Sequence, residues 1–166
     1  MNKMFAVVIL PMILLGAGCV LNPPRTGSST VGSTDTNTIE EAGAELDLSG
    51  QGLRKVPDDI LLREDVTSLD LSDNELEGAL PAEIRHMRSL RVLDVSGNQM
   101  TGVPAEIGQL RDLRILDLSD NQLTGLPYEL GDLQELELLD LSGNAYSEQD
   151  LLRIEGALPE TTVIRR

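Results

Sequence analysis

The chain has 166 residues, a formal net charge of −15, 2% aromatic residues, no Trp and a single Cys. A surface this acidic repels phosphates and anionic headgroups, which argues against nucleic acid as a ligand and favours basic partners. With so few aromatics the core must be built from aliphatic side chains, and one cysteine cannot form an intrachain disulfide.

Residues 1–18 read as an export signal. Lys3 supplies positive charge, Met4 to Leu15 is apolar apart from Pro11, and Leu15-Gly-Ala-Gly-Cys19 is a run of small residues ending at the only cysteine. The apolar stretch is shorter than the ~20 residues that a spanning helix needs, so it is expected to be cleaved. The segment resembles a bacterial lipoprotein signal, and the resemblance implies cleavage before Cys19 and lipidation of it. The pattern departs from that family in having Gly16 three places before the cysteine, where Leu is preferred. Cleavage removes Lys3 and makes the charge more negative still. The lipid is the expected attachment to the membrane, on the outer side of the cytoplasmic membrane or at an outer membrane.

Residues 19–41 are rich in Ser, Thr, Gly, Asn and Pro, with almost nothing apolar to bury. Such a composition predicts a disordered tether; some twenty residues give a reach of ~25 Å. A glycosylated stalk has the same composition.

From Ala44 one phrase recurs five times: Ala44-Glu-Leu-Asp-Leu-Ser49, Thr67-Ser-Leu-Asp-Leu-Ser72, Arg91-Val-Leu-Asp-Val-Ser96, Arg114-Ile-Leu-Asp-Leu-Ser119 and Glu137-Leu-Leu-Asp-Leu-Ser142. The steps between copies are 23, 24, 23 and 23 residues. A steady period of this length specifies a solenoid. The alternation Leu-Asp-Leu puts two apolar residues on one face of a short strand and the Asp on the other. Pro57, Pro81, Pro104 and Pro127 each open a segment with apolar spacing of three, such as Ile107, Leu110 and Leu113, which predicts a short helix with Pro at its first position. Asn74, Asn98, Asn121 and Asn144 follow the strands, where the chain must turn sharply. An amide there offers both donors and an acceptor to backbone groups that neither strand nor helix satisfies, so the Asn row is expected to be structural. Gln51 replaces it in the first copy and predicts a frayed first unit.

The phrase L-x-x-L-x-L-x-x-N-x-L, over residues 42–146, resembles the leucine-rich repeat family. The resemblance implies an α/β solenoid: an arc with a parallel concave β-sheet, short convex helices and about five repeats. Residues 147–166 break the period. Ser147 reads as a helix N-cap, Leu151, Leu152, Ile154 and Leu158 as an apolar stripe and Thr161 to Ile164 as a strand, together a C-terminal cap over the open end of the core. Ile39 and Ala42 are expected to cover the other end more weakly.

Candidate chemistry is sparse. Asp47, Asp70, Asp94, Asp117 and Asp140, with Ser49, Ser72, Ser96, Ser119 and Ser142 beside them, should stack ~4.8 Å apart across the concave face. Five equivalent carboxylates supply no distinct acid and base, and the Asp-Ser pairing is common at these places in leucine-rich repeats. The row is therefore expected to matter little for stability, Asp117→Ser being neutral or better. Asp70 to Asn74 and Asp117 to Asn121 glance at a calcium loop, but the required Gly at the sixth place is Glu75 or Gln122 and the Glu at the twelfth is Pro81 or Tyr128. His86 is the only histidine and has no second His or Cys for a metal. No cofactor, metal or catalytic set is expected.

The less generic feature is the strand position two before each Asp. Val92, Ile115 and Leu138 stand there, against Glu45 and Ser68 in the first two copies. These apolar residues beside Asp94, Asp117 and Asp140 form the candidate partner-binding strip. The expectation is a non-catalytic protein-interaction module at the cell envelope. A structural envelope protein and a carbohydrate or cell-wall binder remain alternatives, the latter disfavoured by the lack of an aromatic platform.

Overall fold

A computed structural model describes residues 43–166. The expectations about the leader, Cys19, the tether and the covering role of Ile39 and Ala42 lie outside the described residues.

The repeated phrase folds as strands β1 (Ala44–Asp47), β2 (Val66–Asp70), β4 (Val92–Asp94), β6 (Ile115–Asp117) and β7 (Leu138–Asp140). With β8 (Val163–Arg165) they form one parallel sheet in the order β1-β2-β4-β6-β7-β8. The register aligns each copy with the next: Leu69 with Leu93, Leu93 with Leu116, and Leu116 with Leu139. These leucines, with Leu71, Val95, Leu118 and Leu141, are fully buried. Burying one such side chain contributes about 1.5–3 kcal/mol, so an apolar stack one strand spacing apart specifies the register.

The segments after the prolines wind more tightly than an α-helix. Ala82–His86, Ala105–Gln109 and Tyr128–Asp132 are 3₁₀ turns, each with Pro81, Pro104 or Pro127 in an extended conformation at its N-cap. The Ile84 amide donates to the Pro81 carbonyl, Met87 to Ile84 and Leu90 to Met87, an unbroken i to i+3 ladder. The expectation of short convex helices is met in 3₁₀ rather than α form, and the prolines sit one place earlier than expected. The reason lies in the spacing: Ile107, Leu110 and Leu113 recur every three residues, and three residues per turn keeps all three over the core. Only α1 (Asp58–Leu61) and α2 (Glu148–Glu155) are α-helical among the described residues.

A second, two-stranded parallel sheet joins β3 (Glu77–Ala79) to β5 (Gln99–Gly102) on the flank. All three β3 residues are exposed. A three-residue strand that buries no side chain carries no periodic signal, and this one was not anticipated.

The Asn row holds successive turns together. Asn98 Nδ2 donates to the carbonyls of Leu71 and Val95 at 3.0 Å each, while its Oδ1 accepts from the Leu76 amide at 3.0 Å. Asn121 repeats this one unit on, binding Val95 at 2.9 Å, Leu118 at 3.2 Å and the Met100 amide at 3.0 Å. Each Asn thus reaches back to the preceding repeat. Gln51 is exposed in the first described unit, and the leucines there, Leu46, Leu48 and Leu53, are only half-buried. Its strand nonetheless pairs with β2.

The residue before each Asn has a positive φ: 54° at Asp73, 64° at Gly97, 51° at Asp120 and 73° at Gly143. Asp and Gly alternate in the last four copies because the Asp side chain leans over the next turn. A Cβ on Gly97 would lie 2.6 Å from Asp73 Oδ1, and one on Gly143 would lie 2.3 Å from Asp120 Oδ1.

At the C-terminal end α2 follows Ser147, which occupies the N-cap without a side-chain bond. Leu151, Ile154 and Leu158 are buried, and Leu152, assigned to the same stripe by sequence, is 63% exposed. Thr162 Oγ1 donates to the Leu136 carbonyl at 2.6 Å and holds the entry to β8.

Asn121→Ala removes two bridges to the preceding repeat and leaves the buried Val95 carbonyl and Met100 amide short of partners. The expected loss is about 1–3 kcal/mol of unfolding free energy, measured by urea titration; an unchanged midpoint would remove the Asn row from its central place.

Candidate functional site

The strand register places the sequence-predicted residues in two rows on the face opposite the core. Neighbours of the fully buried Leu93, Leu116 and Leu139, they must point away from it. One row runs Ser68, Val92, Ile115, Leu138 and Val163; the other runs Asp47, Asp70, Asp94, Asp117, Asp140 and Arg165. Val92, Ile115 and Leu138 are half-buried by one another. The strip continues onto β8, where Val163 is 56% exposed. Sequence reasoning stopped one strand short. The signal was present: Val163-Ile164-Arg165 has the apolar-apolar-charged order of Leu138-Leu139-Asp140, with Arg in place of Asp.

Each Asp is clasped by the Ser two residues on. Asp94 Oδ1 accepts from the Ser96 amide at 2.9 Å and its hydroxyl at 2.7 Å. Asp117 does the same with Ser119 at 2.9 and 2.6 Å, and Asp140 with Ser142 at 3.0 and 2.6 Å. Asp47 and Asp70 follow suit. This corrects the expectation that a carboxylate here could be exchanged for Ser at no cost. Oδ1 closes the turn that ends the strand, and a Ser side chain is too short to serve both donors.

The five carboxylates are also not equivalent. Asp47 is fully exposed, and the Ser49 hydroxyl and amide hold its pKa below the ordinary value of 3.8. Asp94, in the middle of the row, is pushed above that value by burial, opposed by its Ser96 bonds and reinforced by the charges of Asp117 and Asp70. Asp140 is 6% exposed and faces Arg165, with Nη1 to Oδ2 at 3.4 Å. Among the described residues the Oδ2 atoms of Asp94 and Asp117 carry no side-chain bond, leaving a fixed rail of negative charge beside an apolar strip.

The Ser hydroxyls bonded to the carboxylates serve as donors that close the turn, and His86 lies half-exposed on the 3₁₀ turn Ala82–His86. Among the described residues no three His, Cys, Asp or Glu side chains converge on a metal site, and no helix is long and apolar enough to cross a membrane.

Comparison with known proteins agrees with the repeat geometry. The leucine rich repeat family model matches residues 44–100 and 88–145, more than half of the chain. The chain belongs to the leucine-rich repeat family. It is 55% identical over 38 residues to receptor-like protein 41 of Arabidopsis thaliana, a stretch amounting to 23% of this chain and 4% of that protein. Among solved structures, a leucine-rich repeat protein of Leptospira interrogans superposes with a TM-score of 0.56 at 30% identity, over 69% of this chain and 34% of that one. The BIR3–SERK2 complex of Arabidopsis thaliana gives 0.59 at 34% identity, over 72% and 71%. The chain thus spans 4% of the first of these proteins and 34% of the second. Leucine-rich repeat domains commonly mediate protein–protein contacts.

The clasp and the charge on Asp94 separate experimentally. Asp94→Asn keeps the Oδ1 acceptor and removes the charge. Because the folded pKa is raised, the wild-type carboxylate costs stability as the pH rises from about 3.8 through that higher value. Asp94→Asn should therefore be more stable than wild type at pH 7 and equal to it at pH 3. Asp94→Ala removes the charge too but also loses the clasp, and should be less stable than Asp94→Asn by about 1 kcal/mol at both. Thermal melts at the two pH values distinguish them; identical behaviour of Asn and Ala would refute the clasp.

Proposed function

We propose that this chain is a non-catalytic, exported protein-binding module that takes its partner on the concave face, over Val92, Ile115, Leu138 and the Val163 that extends them, beside Asp94, Asp117 and Asp140. The observation that carries this reading is a row of apolar side chains, three half-buried and Val163 exposed, on the face of the sheet opposite the buried leucines. Apolar side chains aligned on a rigid sheet form the kind of anchor that supplies most of an interface's binding energy. The adjoining carboxylates attract a basic partner and speed encounter. The plant complex among the similar structures supports the interaction role, and the apolar leader ahead of the sole cysteine supports export and lipid anchoring at Cys19.

Proximity labelling in the native host tests the face. Ile115→Glu should keep the wild-type melting temperature and lose the labelled partner. If the variant unfolds, Ile115 belongs to the core; if it folds and labels the same proteins, the site lies elsewhere.

The anchor has its own test. Mass spectrometry of the mature N-terminus should find a lipid-modified Cys19, and Cys19→Ala should shift the protein from the membrane to the soluble fraction with its fold intact. An unmodified Cys19, or a mature start beyond residue 20, would remove the anchor.

A further inference from the structure

The two rows on the concave face constrain the shape of what binds there. The apolar row (Val92, Ile115, Leu138, Val163) and the acidic row (Asp70, Asp94, Asp117) run side by side, perpendicular to the strands, and residues two apart on a strand put them ~6.7 Å apart. A ligand that engages both must present an apolar row and a basic row on one face. An extended peptide lying along the solenoid axis matches the rows poorly. Whether one or both sets of its alternate side chains face the sheet, each set repeats every ~6.7 Å against a strand spacing of ~4.8 Å. A helix presents neighbouring stripes on one face, and its i, i+3 and i+4 side chains lie ~5–6 Å apart, close to the strand spacing.

We infer, on the footing of the proposed binding face, that the partner element is a short amphipathic helix lying along the solenoid axis. Its apolar stripe rests on Val92, Ile115, Leu138 and Val163, and its flanking Lys or Arg residues meet the free Oδ2 atoms of Asp94 and Asp117. The apolar row spans three strand intervals, ~14 Å, which is roughly nine or ten helical residues at about 1.5 Å each. Charge complementarity is built in: with Oδ1 held by Ser96 or Ser119, each carboxylate is already oriented, so a cation binds without paying to immobilise it. The row is closed at one end, where Arg165 occupies Asp140, so cations are taken at Asp94 and Asp117 rather than beyond them.

The test uses the full ¹⁵N-labelled chain and two peptides of about twelve residues with one composition of Leu, Lys and Ala. One is stapled as a helix with Leu at i, i+3 and i+4 and Lys alongside; the other alternates Leu and Lys and favours an extended form. The helical peptide should bind at least about tenfold more tightly, with amide shifts centred on β4, β6, β7 and β8. Val163→Ser, at an exposed position, should weaken it several-fold without changing the melting temperature. Asp94→Asn with Asp117→Asn should weaken it and flatten its salt dependence. Equal or tighter binding of the alternating isomer on the same amides overturns the helix and leaves the face standing. Shifts centred away from these strands, or binding indifferent to Val163→Ser, overturn the face itself, and failure of both peptides to bind overturns the helix.

Discussion

Each repeat of this solenoid ends in a sharp turn that leaves main-chain donors and acceptors inside the protein, away from water. Everything else depends on satisfying them. The Asn side chain does so from one repeat to the next: its amide nitrogen takes carbonyls from its own and the preceding turn, and its oxygen takes an amide from the preceding one. An unpaired buried group of this kind costs about 1–3 kcal/mol, so a period that loses its Asn loses its junction. The ladder fixes the stacking of turns, the stacking fixes the strand register, and the register alone brings Val92, Ile115, Leu138 and Val163 into one row.

The concave face shows what a structural device leaves unused. Asp94 and Asp117 end their strands by accepting two bonds from the following Ser, and those bonds use one carboxylate oxygen. The second oxygen is left over. Because the clasp immobilises the group, the leftover oxygens stand in a row of fixed spacing with their charge largely uncompensated. The raised pKa of Asp94, driven by burial and sustained by the charges on either side, is the energetic mark of that situation. On the proposed reading of this face, a cation arriving from a partner would relieve it.

The C-terminal segment has two consequences in one strand. Leu151, Ile154 and Leu158 cover the end of the aliphatic core, and β8 then adds a sixth strand to the sheet. That strand lengthens the apolar strip by its most exposed member and plugs the acidic row with Arg165. A purely covering element would need neither. The same segment thereby sets both where the apolar row ends and which charges beside it remain open.

The fold was legible in the residues because a solenoid repeats its physics: the Leu-Asp-Leu alternation, the Asn after each strand and the prolines are local patterns of fixed period, and copies in phase at 23 or 24 residues reinforce one another. Strand positions, the buried leucines and the bridging amides could all be read this way. Three features were not. The 3₁₀ winding follows from a spacing of three that a short α-helix tolerates almost as well, and only the geometry of neighbouring turns separates the two. The flanking sheet joins β3, whose residues are all exposed, to β5, in which only Met100 is buried, and so it lacks an apolar alternation. The place of β8 in the apolar strip, and the pairing of Arg165 with Asp140, depend on a contact across 25 residues that breaks the period. Periodic contacts repeat in the sequence and can be read there; a contact made once, between an element inside the repeat and one outside it, exists only when the chain has folded.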